Sequence, residues 1–204
     1  MTDAVDVQPV DHLKAGATAP VFHAGEAYTI RPVRDDEDWG ALTTLLHRAY
    51  APLLAAGMRY HASHQPPEVT RERALSGHGF ILERAGTVVG TLSVYGEGQG
   101  QSGCAYYDRP GVWHMGQFAV DPTLQSAGLG GRLLDHIERV AAEAGAAELA
   151  LDTSEHAAHL IAWYQRRGYA QVDTTQWGHT NYLSVVMSRR LQPDNTKGAN
   201  DGQK

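Results

Sequence analysis

V-W-H-M-G-Q-F-A-V-D-P-T-L-Q-S-A-G-L-G-G-R, residues 112–132, is the stretch of this 204-residue chain that decides its fold. Its first half is apolar and rich in strand-forming residues, and Pro122 ends the strand because proline lacks a backbone donor. Its second half carries Gly128, Gly130 and Gly131 and continues into apolar residues at helical spacing. The stretch therefore predicts a buried strand, a turn and a glycine-rich loop that opens into a helix.

A glycine-rich loop at the start of a helix is suited to binding phosphate. Several backbone N–H groups converge there on one anion, and the helix dipole adds to the attraction. The P-loop pattern is excluded because Arg132 and Leu133 follow Gly131, where that pattern requires Lys and then Ser or Thr. The dinucleotide fingerprint fails as well, since Leu133 occupies the position of its third glycine. The loop therefore predicts a phosphate or pyrophosphate site of another kind.

Residues 125–130, Q-S-A-G-L-G, fit the signature Q/R-x-x-G-x-G/A. With the preceding F-A-V-D-P at 118–122, they resemble motif A of the GNAT acetyltransferase superfamily, whose members bind acetyl-CoA. The resemblance covers about residues 28–190 and implies an α/β (α+β) fold, a mixed and mostly antiparallel sheet flanked by helices on both faces. It also implies that the loop holds the pyrophosphate and that the main chain of the strand pairs with the pantetheine arm. The implied cofactor-binding residues are Phe118, Ala119, Val120, Gln125, Ser126, Ala127, Gly128, Leu129, Gly130, Gly131 and Arg132.

The rest of the chain predicts strands and helices in an order that agrees with this fold. Besides the central strand, strands are predicted at 28–33, 80–84, 87–95, 148–153, 169–172 and 182–187, and helices after the acidic cluster 35–38, at 68–76, after Gly128 and at 157–167. Residues 1–25 are predicted to be a flexible N-terminal tail and residues 192–204 a disordered C-terminal tail, because neither is periodic. The sequence therefore predicts one acetyltransferase domain at 26–191, between the two tails.

Composition indicates an ordinary globular protein without nucleic-acid or membrane partners. The net charge of −6 argues against nucleic acid as the main partner. The single cysteine, Cys104, excludes an intramolecular disulfide, and no apolar run approaches the roughly 20 residues of a membrane span. The N-terminal segment lacks the basic and apolar regions of a signal peptide. The sequence therefore predicts a cytoplasmic protein.

Tyr164 is the residue to which the resemblance assigns protonation of the departing thiolate. The family's C-terminal helix carries a tyrosine followed by x-x-x-G-[FY], and W-Y-Q-R-R-G-Y at 163–169 reproduces that pattern. A phenol can donate a proton to a forming thiolate because their pKa values are not far apart. The alternative is that Tyr164 only packs in the apolar side of its helix.

His114 is the candidate for accepting the proton of the amine. Several family members carry a glutamate base eleven residues before the Q/R of the loop, a position that His114 holds relative to Gln125. An imidazole accepts a proton near neutral pH, and strand alternation predicts that His114 shares a face with Phe118 and Val120. The alternatives are a core histidine with a satisfied ring, and Glu83 as the base.

One position departs from the family pattern. Many relatives carry an Asn seven residues before the tyrosine that assists cofactor binding, and here that residue is Ala157. Ser154 and His156 are the alternatives for this contact. His156 and His159 are spaced i, i+3, but without a third ligand nearby the sequence predicts no metal site.

These residues together predict an acetyl-CoA-dependent N-acetyltransferase. Acetyl transfer needs an oriented thioester, a neutral amine and protonation of the thiolate. The acceptor is expected to be a primary amine of a small molecule or peptide, bound by residues 50–78, 96–111 and 176–181. The alternatives are a catalytically weak CoA-binding regulatory or sensor module and a different phosphate-binding fold. Homodimers are common in the family, whereas the sequence itself leaves the oligomeric state open.

Overall fold

The computed structural model of the protein describes residues 18–100, 103–125 and 127–191. In chain order its elements are β1 (Ala19–His23), β2 (Glu26–Pro32), α1 (Trp39–Ala55), α2 (Pro67–Leu75), β3 (His78–Arg84), β4 (Thr87–Tyr95), β5 (Val112–Val120), α3 (Leu129–Glu143), β6 (Glu148–Ser154), α4 (Ala158–Arg166), β7 (Ala170–Thr175) and β8 (Ser184–Arg190). Short 3₁₀ turns lie at His61–Ser63 and Pro122–Leu124. None of the helices in these described ranges is long and apolar enough to cross a membrane.

The strands form a single sheet in the order β1-β2-β3-β4-β5-β6-β8-β7. Among the described residues, every neighbouring pair is antiparallel except β5 with β6, which is parallel. Helices α1 and α2 contact one face, and α3 contacts the other. Side chains of α4 pack against the same core as α3. The predicted mixed, mostly antiparallel sheet with helices on both faces is confirmed.

The main core lies between α3 and the sheet. Leu133, Leu134 and Ile137 of α3 are fully buried and pack in one cluster with Phe80 and Leu92 from the sheet. Full burial of one such side chain stabilises the fold by roughly 1.5–3 kcal/mol. This layer fixes the N-terminus of α3 relative to β5.

The first strand of the sheet lies within the segment that the sequence predicted to be a flexible tail. Residues 18–25 fell within the expected flexible tail, but Ala19–His23 forms β1 and pairs antiparallel with β2. The turn between these strands uses Ala24 and Gly25, both with positive φ. The preferred turns of this kind begin with Asn, Asp or Gly, so Ala-Gly carries little sequence signal. The remaining parts of both predicted tails, 1–17 and 192–204, lie outside the described residues.

A β-bulge interrupts β5. Gln117 has φ +51, and the register with β4 shifts between Thr91 and Ser93. A bulge places one extra residue in a strand and so reverses the alternation of side chains beyond it.

This bulge changes which residues of β5 share a face. His114, Gly116 and Gln117 face α2, whereas Phe118 and Val120 belong to the core on the side of α3. The prediction that His114 shares a face with Phe118 and Val120 is therefore wrong, because strict alternation holds only in an uninterrupted strand.

β5 and β6 pair over a short length. The paired residues are Val112 with Glu148, Trp113 with Leu149 and His114 with Ala150. Beyond them, residues 115–120 and 151–154 of the two strands have no pairing with each other among the described residues. The strands therefore separate, and their backbone edges face an open space between them.

Candidate active site

The glycine-rich loop leads into an α3 N-terminus that is open to a ligand. Gly128 directly precedes α3 with φ +75, a left-handed conformation that favours glycine. Arg132 donates its N–H to the Gly128 carbonyl, so the N–H groups of Leu129, Gly130 and Gly131 have no acceptor within the helix. No acidic residue lies in the first turn, where its carboxylate would compete with a bound phosphate for the positive end of the helix dipole. These groups fit the pyrophosphate of acetyl-CoA.

A cleft of about 550 Å³, called here the loop cleft, extends from this loop along the open edge of β5. Of the predicted cofactor-binding residues, its wall contains Phe118, Ala119, Val120, Gln125, Gly128, Gly130 and Gly131. Leu129 is buried in the main core, so only its backbone reaches a ligand. Ala127 packs against that core, Arg132 is exposed, and Ser126 lies outside the described residues.

The backbone of β5 presents carbonyl groups to the loop cleft. The Phe118 carbonyl accepts a hydrogen bond from the Tyr50 hydroxyl at 3.1 Å, and the Val120 carbonyl accepts one from Gln125 Nε2 at 3.2 Å. A carbonyl oxygen has two lone pairs, so an extended ligand can share these acceptors or displace the side chains.

Tyr164 also lines the loop cleft. Its ring packs against Trp163 and Tyr169, with centroid separations of 4.9 and 5.6 Å. Burial raises the pKa of Tyr164 well above its usual value, so the hydroxyl is protonated at neutral pH. The hydroxyl has no hydrogen-bond partner within the described part of the chain, and it is available to donate to a ligand.

A second cavity of about 420 Å³, called here the α2 cavity, lies between α2 and β5. The segments expected to bind the acceptor all contribute to its wall, including residues from 60–76, Gly100, Tyr107 and residues from 177–182. Tyr50, Tyr60 and Asp152 line both the α2 cavity and the loop cleft. The two spaces therefore meet between the separated ends of β5 and β6.

Asp152 is the acidic residue at this junction. Its Oδ2 accepts a hydrogen bond from Trp177 Nε1 at 2.9 Å, and its Oδ1 accepts one from the Tyr107 hydroxyl at 3.1 Å. These donors fix the carboxylate and leave further lone pairs for a ligand. The sequence did not single out Asp152 because an acidic residue within a strand is unremarkable without its neighbours.

Tyr60 connects the irregular segment before α2 to β6. Its hydroxyl lies 2.8 Å from Thr153 Oγ1 and accepts the Ser154 N–H at 2.9 Å. Its ring contacts Tyr50 and Tyr182, with centroid separations of 5.4 and 5.0 Å. An aromatic wall therefore borders the junction.

His114 lies in the wall of the α2 cavity. Its ring stacks between Tyr107 and Tyr95, at centroid separations of 4.3 and 4.9 Å. Both ring nitrogens are buried and neither has a hydrogen-bond partner within the described ranges. Burial, together with the charge of Arg73, lowers the pKa of His114 to about 4. The ring is therefore neutral at neutral pH.

Glu83, Ser154 and His156 line neither space, whereas His159 lies in the wall of the loop cleft. Glu83 accepts a 2.7 Å hydrogen bond from Arg31, and Ser154 Oγ accepts the N–H of the exposed His156 at 3.2 Å. Burial raises the pKa of the Cys104 thiol, which disfavours a reactive thiolate. No group of three or more His, Cys, Asp or Glu side chains that could hold a metal occurs in the described part of the chain.

Comparison with known proteins assigns the family. A sequence model described as the Acetyltransferase (GNAT) family matches residues 39–169. The chain is 27% identical over 169 residues to the S-(2-succino)cysteine N-acetyltransferase of Bacillus subtilis (strain 168), covering 82% of this chain and 97% of that one. The chain therefore belongs to the GNAT acetyltransferase family and is an N-acetyltransferase, as the sequence predicted.

Solved structures show the same fold at low sequence identity. The ribosomal-protein-S18-alanine N-acetyltransferase from Escherichia coli superposes with a TM-score of 0.61 at 19% identity, over 86% of this chain and 99% of that one. The GNAT domain of S. lividans PAT superposes with a TM-score of 0.64 at 18% identity, over 87% and 98% of the two chains.

Replacing Gly128 with alanine should weaken the binding of CoA. A left-handed conformation costs a residue with a side chain about 1–2 kcal/mol, and relaxing it would turn the N–H groups of α3 away from the ligand. We expect the dissociation constant in isothermal titration calorimetry to rise at least about fivefold. Gly145→Ala is the matched control, since Gly145 has φ +99 and no atom within 4 Å of an added Cβ, but follows the opposite end of α3 and lines neither space. An equal rise in the dissociation constant of both variants would contradict the assignment of the α3 N-terminus as the pyrophosphate site.

His114→Phe should make the protein less sensitive to acid. Between pH 6.5 and about 4, the unfolded chain protonates His114 whereas the native state does not, so the free energy of unfolding falls as the pH falls. For this residue the loss at pH 5.0 is about 2 kcal/mol, or about 4–8 °C in Tm. The drop in Tm between pH 7.5 and 5.0, followed by circular dichroism, should be smaller in the variant by this amount. An identical drop would show that His114 does not exclude a proton in the native state.

Proposed function

We propose that the protein transfers an acetyl group from acetyl-CoA directly to the primary amine of a small molecule or peptide. The observation that carries this proposal is the meeting of the loop cleft and the α2 cavity at Tyr50, Tyr60 and Asp152. Direct transfer requires thioester and amine to approach within one space that fixes their orientation. When bound, acetyl-CoA supplies the thioester carbonyl that is attacked and the thiolate that leaves.

The loop cleft is the proposed site for the cosubstrate. The N–H groups of Leu129, Gly130 and Gly131 would hold the pyrophosphate, and the backbone of 118–120 would hold the pantetheine arm. Support comes from the open helix N-terminus and from the carbonyl groups that face the cleft. Gln125, Ser126, Ala127, Gly128 and Arg132 complete the proposed set.

Tyr164 and Asp152 are the proposed groups at the reacting atoms. The Tyr164 hydroxyl would donate its proton to the sulfur, which its raised pKa permits because the phenol is protonated beforehand. Asp152 would hold the incoming ammonium at the junction of the two spaces. Over the reaction a C–N bond forms, the C–S bond breaks, the amine nitrogen loses two protons and the sulfur gains one.

His114 is the proposed acceptor of a proton from the amine. Its ring is neutral at neutral pH and lies in the wall of the α2 cavity. The geometry supports this role less well than that of Tyr164, because the ring nitrogens are buried and Nε2 lies close to Gly100. A pKa of about 4 also makes the imidazole a weak base, so the proton would pass on to solvent.

The acceptor is proposed to be a small molecule rather than a peptide. The Bacillus subtilis relative is an S-(2-succino)cysteine N-acetyltransferase, and it aligns over most of this chain. The α2 cavity also has the size of a small-molecule site rather than of a long groove. A cytoplasmic location, a homodimer and the lack of a nucleic-acid partner stay predictions of the sequence and the resemblance.

Acetyl-CoA should stabilise the protein, and released thiol should appear when a suitable amine is added. At a ligand concentration of 100 Kd the expected gain is about 2.7 kcal/mol, or about 5–10 °C in Tm. Differential scanning fluorimetry and detection of free CoA thiol over a panel of amines measure the two effects. No shift in Tm would contradict binding of CoA. A shift without thiol release for any amine would favour the catalytically weak CoA-binding module.

Tyr164→Phe should lower kcat by at least about a hundredfold, because general acid catalysis typically contributes that much. The affinity for CoA should change by less than about twofold, since the ring stays in place. Tyr169→Phe is the matched control, because it removes a neighbouring hydroxyl that bonds to Glu138 and lines neither space. An unchanged kcat in Tyr164→Phe would refute the role of Tyr164 as the acid.

A further inference from the structure

We propose that Arg73 in the α2 cavity binds a carboxylate of the acceptor, so that the acceptor is an amino acid or an amino-acid derivative with a free carboxylate. This inference rests on the proposed function, because it names the acceptor class of the same site. Arg73 would be a residue that determines specificity, and Asp152 would hold the ammonium of the same molecule.

The side chain of Arg73 is turned inward. Arg73 lies in the last turn of α2, where an arginine in solvent would suffice to complement the helix dipole. Its guanidinium instead lies against β5, since a Cβ at Gly116 would stand 3.2 Å from Nη2. The absence of a side chain at Gly116 therefore provides the room that the guanidinium uses.

The charge of Arg73 is not compensated by the protein. Among the described residues Arg73 forms no salt bridge, and Nη1 donates to the neutral oxygen Gln65 Oε1 at 2.6 Å. Glu72 also lines the α2 cavity but forms no ion pair in the described ranges. A partly buried charge without a partner is costly, and the remaining guanidinium donors match the two oxygens of a carboxylate.

A network of buried side-chain amides orients the guanidinium of Arg73. Gln65 is 1% exposed, and its Nε2 donates to Thr70 Oγ1 at 2.8 Å and to Gln117 Oε1 at 2.7 Å. Because both amide hydrogens are used in this way, the Gln65 oxygen faces Arg73. Gln117 is the residue with positive φ in the β5 bulge. The bulge therefore holds Gln65, and Gln65 holds Arg73 in place before a ligand arrives.

The α2 cavity carries opposite charges on its wall. Arg73 is the one lysine or arginine among its described lining residues, and Asp152 lies at its junction with the loop cleft. Both act on His179, since burial and Arg73 lower the pKa of this histidine while Asp152 opposes them. Burial and Arg73 also lower the pKa of His61 to about 4, so His61 adds no second positive charge at neutral pH. This arrangement matches a zwitterion whose ammonium points to the thioester.

The test compares amino acids with their decarboxylated counterparts. The probes are L-methionine with 3-(methylthio)propylamine, S-methyl-L-cysteine with 2-(methylthio)ethylamine, and L-phenylalanine with 2-phenylethylamine. Release of CoA thiol from acetyl-CoA is measured with the full chain, wild type and Arg73→Gln, Arg73→Lys and Arg71→Gln variants. Arg71 is the matched control because it lies on α2, lines neither space and pairs only loosely with Asp35 at 3.7 Å.

In the wild type, kcat/KM should be at least about tenfold higher for the amino acid of one or more pairs than for its amine. Arg73→Gln should raise KM for that amino acid at least about thirtyfold and change kcat/KM for the amine by a much smaller factor, so that the preference for the amino acid over its amine is lost. Arg73→Lys should restore part of the preference, because it keeps the charge but not the planar fork. Arg71→Gln should behave as the wild type.

Binding of the acetylated product and the Tm shift with acetyl-CoA are two further readouts. The N-acetyl derivative of the preferred amino acid should bind the wild type in calorimetry and bind Arg73→Gln much more weakly, while the Tm shift with acetyl-CoA stays the same in both. Amines that react as well as amino acids, or an equal loss of both in Arg73→Gln, would overturn the carboxylate site and leave the acetyltransferase intact. Absence of thiol release with every amine would instead overturn the proposed function, and this inference with it.

Discussion

The bulge in β5 is the constraint on which both spaces of the candidate active site depend. A residue other than glycine at φ +51 costs about 1–2 kcal/mol. Gln117 offsets this cost through its buried amide, which accepts a hydrogen bond from Gln65 at 2.7 Å. At the bulge, both Gly116 and Gln117 face α2. The separation of β5 from β6 begins just before the bulge, beyond His114.

Rigid and irregular parts of the fold have different tasks around this opening. The buried layer of α3 fixes the helix N-terminus against β5, so the N–H groups at 129–131 are held in place without a ligand. The wall of the α2 cavity includes several residues from connecting segments, among them Tyr60, Tyr107 and Trp177. Hydrogen bonds to Asp152 and to β6 tie these segments to the sheet. The site therefore combines a shared scaffold with a wall that can differ between relatives.

The family signature is uninformative about the acceptor for a physical reason. It describes a loop that holds the part of acetyl-CoA common to all members, and its glycines serve the backbone rather than any particular amine. Solved relatives share the fold at 18% and 19% identity, which leaves room for different walls in the α2 cavity. Arg73 and Asp152, to which we assign the selection of the acceptor in our proposal, lie outside that signature.

The sequence by itself determined the elements, the glycine-rich loop and the position of Tyr164, because each depends on a pattern within a few neighbouring residues. It missed β1, whose Ala-Gly turn carries little signal, and it placed His114 on the wrong face because one bulged residue reverses the alternation. Only the tertiary structure brought Arg73, His114 and Asp152 around one cavity, since the strand order of the sheet joins segments that are far apart in the chain. It also decided the pKa of His114, because that value depends on burial between two tyrosine rings and not on the imidazole alone.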